Sequence, residues 1–440
     1  MKRLLCLLPL LLAGQAHAQT APGEGFHVER YAVSLQPDAV RKSVSGRETI
    51  VVTAATNTLS RLAFSANALQ ITSATANGRP VDVSSTRNGV VFTLARPLAK
   101  GQKATLRFHM AGTPARGMTA TGGGLYTSYF ACDWMVCLQD MPGDKAGFAL
   151  DLTVPRGWTA VGVGREQASH SLPHDMTLHR WRSTRPYSAY LYAFAAGPFP
   201  QRSLSTPQGQ LEYIDATGMD AELGQSFAGT PSIAAFLSDK AGVSLPDQRY
   251  IQVLVPGDDA QESASFSLIG RLPLARDRAD PASAWVVAHE MAHQWWGNLV
   301  TCASWRELWL DEGVTTFMVA AWQQHENGDG AYRAALDVAR ARLARARAAG
   351  YDKPLAWDGQ YPSLGQRRAV QYSKGALFLA ELRQQLGDDA FWQGLRIFTQ
   401  SHAGGTVTSH DFQAAMETAS RRDLTAVFRQ WVYGDDAPAT

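Results

Sequence analysis

The pattern that most constrains this chain is H-E-x-x-H, present as His289-Glu290-Met291-Ala292-His293. Residues four apart on an α-helix share a face, so two imidazoles at this spacing can bind one cation. A catalytic zinc ion takes three protein ligands and keeps one open position. Eighteen residues separate His293 from Glu312, which lies in a segment with helical apolar spacing. The sequence predicts that two helices bring His289, His293 and Glu312 to one Zn²⁺ ion, with Glu290 facing the same cavity.

Capping residues and breakers predict the limits of these two helices. Asp280 followed by Pro281 is a favourable helix start, because a capping side chain precedes proline in the first turn. Gly297-Asn298 predicts the end of this first helix. The second predicted helix covers Leu308 to Gln324 and ends by Asn327-Gly328.

The first half of the chain has the period of β-strands. Apolar and polar residues alternate in segments around Tyr31–Leu35, Ala104–Met110 and Phe148–Val154. Asn77-Gly78 and Asn88-Gly89 are hairpin signals between strands. We predict an α+β fold, with an antiparallel β domain over residues 19–200 and a mostly helical domain over residues 201–440 that includes a short strand near Tyr250–Val255. Taken alone, the β half would also fit a carbohydrate-binding or adhesion sandwich.

Residues 1–18 have the features of an export signal. Lys2 and Arg3 precede an apolar run from Leu4 to Ala13, and Ala16-His17-Ala18 fits the rule for the cleavage site. This run is about half of the ~20 residues that a membrane span needs, so a membrane anchor is the weaker interpretation. We expect an exported protein, periplasmic or secreted, without a membrane partner.

The charge of the chain gives no reason to expect a nucleic-acid partner. The formal net charge is +2, and 18% of the residues are charged. The segment from Leu336 to Arg347 is a predicted helix that carries four arginines: Arg340, Arg342, Arg345 and Arg347. Acidic residues elsewhere balance these charges and no aromatic residue is interleaved, so we favour a solvated face over a basic binding patch.

Three cysteines follow the predicted signal: Cys132, Cys137 and Cys302. In an oxidising compartment, Cys132 and Cys137 would form a short-loop disulfide and leave Cys302 free. The alternative is that all three are small buried apolar residues. Spacing does not decide between the two.

Several motifs together resemble one family, the zinc aminopeptidase N and leukotriene hydrolase family of metallopeptidases, a gluzincin family. His289–Asn298 and Leu308–Gly313 closely resemble its zinc-binding signature. Asp140–Lys145 resembles its D-x-P-x-x-K motif, and Tyr372–Gly375 resembles its Y-x-K-G motif. Trp181–Phe199 resembles its T-x-P-x-S-x-Y-L-x-A-F-x-x-G segment. The similarity covers most of the chain. We expect a short form without the long helical C-terminal domain of many members, and hence an open cleft.

The resemblance implies an N-terminal β domain followed by a thermolysin-like catalytic domain. It implies a zinc aminopeptidase that removes N-terminal residues from peptides. The implied metal ligands are His289, His293 and Glu312. Glu290 would be the general base, and Tyr372 would stabilise the oxyanion of the tetrahedral intermediate.

The chain departs from the family at the residues that usually hold the substrate amine. In the family these are, first, the carboxylate of a G-x-M-E-N motif and, second, a Gln or Glu from the β domain. Glu262 corresponds to the first, although an alignment anchored on Ser267–Ile269 places Ala264 there instead. Residues Thr127–Phe130 contain no Gln or Glu at the second. Asp311 stands where Asn is usual, and we expect it to hydrogen-bond a ligating histidine.

Three functions from different classes remain at this stage. The first is an exported zinc aminopeptidase with Glu262 as the amine anchor. The second is a zinc endopeptidase, or a peptidase of N-terminally modified peptides, with relaxed amine recognition. The third is a non-catalytic binding protein, which is least favoured because Glu290, Tyr372 and all three ligands occur together. The sequence does not predict an oligomeric state.

Overall fold

The structure is a computed structural model that describes residues 20–218, 223–280 and 284–434. The predicted export signal lies outside the described residues. The strands of the first half are β1 (Phe26–Asp38), β2 (Ser43–Ala54), β3 (Leu59–Phe64), β4 (Gln70–Ala76), β5 (Arg79–Pro80), β6 (Asp82–Thr86), β7 (Gly89–Leu98), β8 (Lys103–Gly112), β9 (Met118–Thr121), β10 (Gly124–Thr127), β11 (Lys145–Pro155), β12 (Thr159–Gly162), β13 (Arg165–Leu172), β14 (Met176–Arg182), β15 (Tyr187–Ser188) and β16 (Phe194–Gly197).

The second half contains most of the helices. Its strands are β17 (Gln201–Thr206), β18 (Gly209–Asp215), β19 (Arg249–Val255), β20 (Ala260–Gln261), β21 (Phe266–Gly270), β22 (Thr301–Cys302) and β23 (Thr406–Val407). Its α-helices are α1 (Leu223–Ser226), α2 (Thr230–Ala241), α3 (Arg271–Ala279), α4 (Val286–Ala292), α5 (Trp309–Asn327), α6 (Asp329–Ala348), α7 (Leu364–Arg367), α8 (Gly375–Leu386), α9 (Asp388–Ser401), α10 (Ser409–Ser420) and α11 (Thr425–Phe428). Two further segments are π-helical, Arg368–Lys374 and Arg429–Tyr433.

A nine-stranded sheet has the order β13-β14-β11-β1-β2-β8-β4-β5, and β15 pairs with β11. Tyr31 of β1 pairs with Phe148 of β11, and Val33 pairs with Leu150. Because both strands bury every second residue, this register puts their apolar side chains on one face. The predicted α+β class is confirmed. The sheet is mixed, however, since β1 and β11 run parallel, which the long chain between them permits.

Smaller sheets complete the first half. They have the orders β12-β16-β10-β9 and β3-β7-β6. The hairpin predicted at Asn77-Gly78 joins β4 to β5, and both turn residues have positive φ, 50° and 78°. The hairpin predicted at Asn88-Gly89 joins β6 to β7.

The second half contains a five-stranded sheet of order β17-β18-β19-β21-β20. The sequence predicted one strand here, near Tyr250–Val255, which is β19, and missed the other four. Strands β18, β19 and β21 are parallel, and β21 is buried throughout. Such a strand has no alternation, so periodicity does not distinguish it from a buried helical segment.

The two predicted ligand helices are present as α4 and α5. Helix α5 closely matches its predicted limits. Helix α4 begins at Val286, whose backbone N–H donates to Asp277 Oδ2 at 2.7 Å. The predicted start at Asp280-Pro281 falls at the end of α3 and on residues 281–283, which lie outside the described residues.

Cys132 and Cys137 form a disulfide, and Cys302 is a buried free cysteine. The structure therefore agrees with the first of the two cysteine interpretations. In the part of the chain that the structure describes, no helix combines the length and the apolar character needed to cross a membrane.

A buried carboxylate, Asp247, joins the two halves of the molecule. It accepts hydrogen bonds from Tyr187 Oη at 3.0 Å and Ser265 Oγ at 2.8 Å. It also accepts one from Thr184 Oγ1 and forms an ion pair with Arg185. Three of these partners come from the β half, and Ser265 comes from the segment that leads into β21. Asp247 therefore fixes the β half against the sheet that underlies α4.

We expect Asp247→Ala to lower the free energy of unfolding by about 3 kcal/mol, because it leaves buried hydroxyl groups without an acceptor. Asp247 also has φ 61°, where alanine is strained. Guanidinium unfolding followed by Trp fluorescence measures the change. The control is Asp337→Ala on the exposed face of α6, where we expect a change within about 0.5 kcal/mol. Equal stability of the two variants would contradict this role.

Candidate metal centre and active site

Helix α4 presents the two histidines to one point. His289 and His293 are buried, and their Nε2 atoms are 3.1 Å apart. His293 Nδ1 donates to the backbone carbonyl of Trp296 at 3.0 Å, which leaves Nε2 as the ring nitrogen that can bind a metal once its proton is lost. Gly297 makes this contact possible: its φ is 124°, and a Cβ there would lie 2.9 Å from His293 Nδ1. The glycine after the histidine motif therefore helps fix the tautomer of a ligand.

Helix α5 supplies the third ligand. Glu312 Oε2 lies 3.3 Å from His289 Nε2 and 3.3 Å from His293 Nε2. Atoms bound at about 2.0 to 2.1 Å around a tetrahedral zinc ion lie about 3.3 Å from one another. The three ligand atoms thus already have the spacing of three corners of a zinc tetrahedron. Glu312 Oε2 also has no hydrogen-bond partner in the described structure, as expected of an atom reserved for a metal.

The electrostatics of the triad favour a cation. Burial lowers the pKa of His289 to about 4. Burial also acts to lower the pKa of His293, but the charge of Glu312 outweighs it and raises that pKa to about 10. Burial alone would raise the pKa of Glu312, yet the positive charge of His293 holds it well below its usual range. The shifts in the pKa values of His293 and Glu312 therefore both favour a positive charge beside the Glu312 carboxylate.

Glu290 lies beside the triad and is buried. Burial raises the pKa of its carboxyl well above the usual value, and the neighbouring charge of His293 only partly opposes this. Its Oε2 atom has no hydrogen-bond partner within the described residues. Such a carboxyl, next to a cation site and otherwise free, can exchange a proton with a bound molecule.

The π-helical segment Arg368–Lys374 brings Tyr372 to the triad. Tyr372 Oη donates to Glu312 Oε1 at 2.7 Å, and its ring stacks near that of His289, with centroids 5.9 Å apart. Burial raises the pKa of Tyr372 well above its usual value, so the phenol stays protonated and able to donate. π-Helical turns are rare and frequently lie at functional sites.

Two glycines allow this approach. A Cβ on Gly313 would lie 2.9 Å from Gly375 Cα, and a Cβ on Gly375 would lie 2.8 Å from Gly313 Cα. Real Cβ atoms essentially never make such contacts, so the backbones of α5 and α8 cross here only because both residues are glycine. The glycine of the Y-x-K-G motif therefore serves to place Tyr372 against Glu312.

The structure shows which of the two candidate residues, Glu262 or Ala264, faces the triad. Ligand atoms of Glu262, Glu290 and His293 lie within 4.8 Å of one another. Asn298 Nδ2 donates to the carbonyl of Glu262 at 2.9 Å, which ties this segment to the turn after α4. Ala264, the alternative, is fully buried. Glu262 is thus the residue that faces the triad.

The segment around Thr127 is held by other contacts, and its departure from the family pattern stays a prediction. Thr127 is buried, and its hydroxyl bonds only the backbone of Phe194 among the described residues. Tyr129 has no carboxylate that could bind an amine. Its backbone N–H donates to Gln261 Oε1 at 2.6 Å, and its hydroxyl donates to the carbonyl of Ala260 at 2.6 Å. The β half therefore holds the Glu262 segment through Tyr129.

The prediction for Asp311 is wrong. Neither ligating histidine bonds this side chain; His293 bonds Trp296 instead. Asp311 Oδ1 accepts from the backbone N–H of Cys302 at 3.0 Å, and burial raises the pKa of the carboxyl to about 7. On α5, Asp311 points to a different side from its neighbour Glu312 and holds the strand β22 through Cys302.

Two residues near the triad were missed from the sequence. Trp285 stacks on His289 with ring centroids 3.8 Å apart. It lies four residues before His289, so helical spacing alone could have identified it. Arg368 lies four residues before Tyr372 in the π-helical segment. The sequence did not predict a helical segment here, so this spacing was not used.

Comparison with known proteins identifies the family. The sequence profile described as the peptidase M1 N-terminal domain matches residues 27–191, and the profile described as the peptidase family M1 domain matches residues 260–431. Together these two matches cover more than half of the chain. The chain belongs to peptidase family M1. It is a zinc metallopeptidase, and the predicted family, enzyme class and zinc cofactor are confirmed.

This M1 metallopeptidase is similar to both bacterial enzymes and solved structures. Aminopeptidase N from Lactococcus lactis subsp. lactis is 29% identical over 322 residues, which are 69% of this chain and 38% of the relative. Aminopeptidase N from Lactobacillus helveticus is 24% identical over 450 residues, covering 92% of this chain and 51% of the relative. The chain thus spans half or less of the length of most curated relatives that it matches.

A solved structure matches over nearly its whole length. The M1 zinc metallopeptidase from Deinococcus radiodurans is 26% identical, with a TM-score of 0.78 over 95% of this chain and 96% of that chain. The arrangement of a β-rich first half and a helical second half is therefore that of a solved M1 metallopeptidase.

We expect zinc uptake by the metal-free protein at pH 8 to release about one proton per ion. His293, with its pKa raised to about 10, is protonated at this pH and must lose its proton to bind zinc, whereas His289 is already neutral. Calorimetric titration in buffers with different ionisation heats counts the protons. In Glu312→Gln the counter-charge is gone, so any zinc that still binds should release less. Zinc uptake by the wild type without proton release would contradict this account.

Proposed function

We propose that this M1 metallopeptidase is an aminopeptidase that removes N-terminal residues from peptides. The observation that carries the proposal is the position of Glu262, a carboxylate beside Glu290 and His293 that can hold a substrate's protonated amine. Because Glu262 lies within 4.8 Å of Glu290 and His293, a substrate amine bound there would place the first peptide bond at the triad. This position supports cleavage after one residue. The names of the curated relatives, aminopeptidase N among them, support the same activity.

In the proposed mechanism, the residues of the chain transfer one proton and stabilise the negative charge on the oxygen of the scissile carbonyl. A bound zinc ion supplies Lewis acidity, which lowers the pKa of water to about 7 and polarises a carbonyl. His289, His293 and Glu312 would hold the ion. Glu290 takes the proton of the attacking water, so its carboxylate becomes neutral, the form that burial favours. It then gives this proton to the leaving amine, which regenerates the carboxylate.

Tyr372 acts on the scissile carbonyl in this mechanism. Its hydroxyl donates to Glu312 in the structure, and it can turn to donate to the oxygen that becomes negative in the tetrahedral intermediate. Because its pKa is far above neutral, it retains the proton that it must share. A donor of this kind contributes about 10² to 10³ in rate.

The same observations leave one other activity supported. Among the described residues, Glu262 is the proposed amine-binding carboxylate, and Thr127, at the second position, is buried and uncharged. A single carboxylate binds the amine less tightly than two, which favours some cleavage of N-terminally modified peptides. A structure of a mutant of the Deinococcus radiodurans enzyme contains a bound Tyr-Ser-Ala substrate. We therefore propose the aminopeptidase activity first and the endopeptidase activity second. The open cleft expected from the sequence stays a prediction.

We also propose that the protein is exported, to the periplasm or beyond. Support comes from the basic and apolar pattern of residues 1–18 and from the disulfide between Cys132 and Cys137, since such bonds persist in oxidising compartments. Fractionation of cells that produce the full chain, with N-terminal sequencing of the mature protein, tests this proposal. Cytosolic protein that retains residue 1 would overturn it.

The activity is tested with two substrates, an aminoacyl anilide and an N-acetylated, internally quenched peptide. We expect the zinc-loaded enzyme to hydrolyse the first and to leave the second nearly intact. Hydrolysis of the blocked peptide alone would overturn the aminopeptidase proposal in favour of the endopeptidase.

The matched control for this experiment is Glu290→Gln, which keeps the size of the side chain but cannot accept the proton. We expect it to bind zinc in the same stoichiometry and to lose at least about 10² in kcat. Zinc content is measured by atomic emission and kcat with the anilide. Appreciable turnover in this variant would remove Glu290 from the mechanism.

We expect Glu262→Ala to raise KM for free-amine substrates about tenfold or more, since a charge-assisted contact contributes about 1.5 to 3 kcal/mol. The change should leave KM for any N-acetylated substrate that is hydrolysed unaltered, because such a substrate has no amine charge to bind. Glu326→Ala, an exposed glutamate on α5, is the matched control. An unchanged KM for free-amine substrates would mean that another group anchors the amine.

A further inference from the structure

The loop from Asp352 to Tyr361, which lies between α6 and α7, contacts the π-helical segment that carries Tyr372. Two buried residues of that segment, Gln371 and Lys374, donate hydrogen bonds to this 352–361 loop. Gln371 comes directly before Tyr372, and Lys374 follows it by two residues. The backbone that carries the phenol is therefore fastened to one loop on both sides of Tyr372.

Lys374 is fastened by an ion pair. Its Nζ atom donates to Asp352 Oδ1 at 2.7 Å and to the backbone carbonyl of Lys353 at 2.7 Å. The other oxygen of Asp352 accepts from Arg347 Nε, near the end of α6, at 2.7 Å. A buried cation is costly unless a carboxylate compensates it, so the position of Asp352 determines where the Lys374 ammonium can lie. Asp352 therefore fixes the C-terminal end of the π-helical segment against α6.

Gln371 fastens the segment at a second point. Its Nε2 atom donates to Tyr361 Oη at 2.8 Å and lies 3.3 Å from the backbone carbonyl of Leu355, which also accepts from it. The ring of Tyr361 packs edge-on against that of Trp357, with centroids 4.6 Å apart, so this acceptor is itself held in place. A rotation of the segment about its axis would break these hydrogen bonds and those of Lys374 together. The two attachments therefore oppose such a rotation.

The 352–361 loop is also tied to the element that carries Glu312. The backbone N–H of Trp357 donates to the carbonyl of Arg306 at 3.2 Å, and Arg306 lies in the turn that leads into α5, six residues before Glu312. Two further backbone N–H groups of the loop donate to the second π-helical segment, Arg429–Tyr433, at 3.0 and 3.1 Å. One loop thus connects the backbones of both partners in the 2.7 Å hydrogen bond between Tyr372 and Glu312.

We propose that Lys374 and Asp352 are positioning residues for Tyr372: their ion pair fixes the backbone from which the phenol reaches the oxygen of the scissile carbonyl. This inference rests on the role of Tyr372 in the proposed function. A displacement of about 1 Å can cost about 10² in rate, so a loosened segment would lose much of what the phenol contributes. Because the phenol stabilises a charge that develops only in the transition state, the loss falls on kcat and leaves KM nearly unchanged.

A double-mutant cycle tests this inference with Asp352→Asn, Tyr372→Phe and the double variant, each loaded with zinc and assayed with the aminoacyl anilide. Asparagine keeps the size of the side chain and removes its charge. We expect Asp352→Asn to lower kcat about tenfold, with KM within about twofold and the zinc content unchanged. In the Tyr372→Phe background the same substitution should lower the residual kcat by less than about twofold, because the hydroxyl that it would misplace is absent. A general loss of structure would lower kcat equally in both backgrounds.

Further variants assign the effect to the ion pair. Lys374→Met removes the ammonium but keeps an unbranched side chain of similar length, and we expect the same fall in kcat and the same dependence on Tyr372. Asp352→Glu retains a carboxylate and should keep part of the rate. Asp337→Asn, which removes the exposed partner of Arg340 on α6, is the matched control and should keep the wild-type kcat. If Lys374→Met does not fold, Asp352→Asn decides, because the Asp352 side chain is 34% exposed.

The outcomes separate this inference from the function on which it rests. An unchanged kcat in Asp352→Asn, an equal loss in both backgrounds, or a loss of bound zinc would each overturn the positioning role and leave the aminopeptidase proposal intact. Wild-type kcat in Tyr372→Phe would remove Tyr372 from the mechanism and the inference with it.

Failure of the proposed activity is recognised in the wild-type enzyme alone. If the wild type hydrolyses the N-acetylated peptide and not the anilide, the aminopeptidase proposal is overturned. The same cycle with the N-acetylated peptide then tests the positioning role, because Tyr372 would act on the scissile carbonyl in either reaction.

Discussion

The active site depends on one buried carboxylate, that of Glu312. One of its oxygens faces His289 and His293 at 3.3 Å each, and the other accepts the hydrogen bond of Tyr372 at 2.7 Å. A buried carboxylate is costly unless charges and donors compensate it. Helix α4 and the π-helical segment supply that compensation to the carboxylate that α5 carries, so the geometry of the three is coupled through a single side chain. A zinc ion of two positive charges would complete that compensation.

The β half contributes to this site by holding the segments that follow the ligands. The amine of Lys145 donates to the backbone carbonyls of Asn298, Leu299 and Gly405 at 2.8 to 3.2 Å. These hydrogen bonds fix the turn after α4 against the β half. Tyr129 holds the Glu262 segment from the other side. The lysine of the D-x-P-x-x-K motif therefore has a physical role far from the chemistry. A shift of either contact would move Glu262 or His293 with respect to the other.

Much of this arrangement was predictable from the sequence because it follows from local spacing. The i, i+4 histidines, the helix that carries Glu312 and the alternating strands β1, β8 and β11 each depend on periodicity within one segment. The parallel strands β18, β19 and β21 were largely missed, since strands buried on both faces have no alternation. The partner of Asp311 was predicted wrongly because residues 311 and 312, adjacent in sequence, point to different sides of α5.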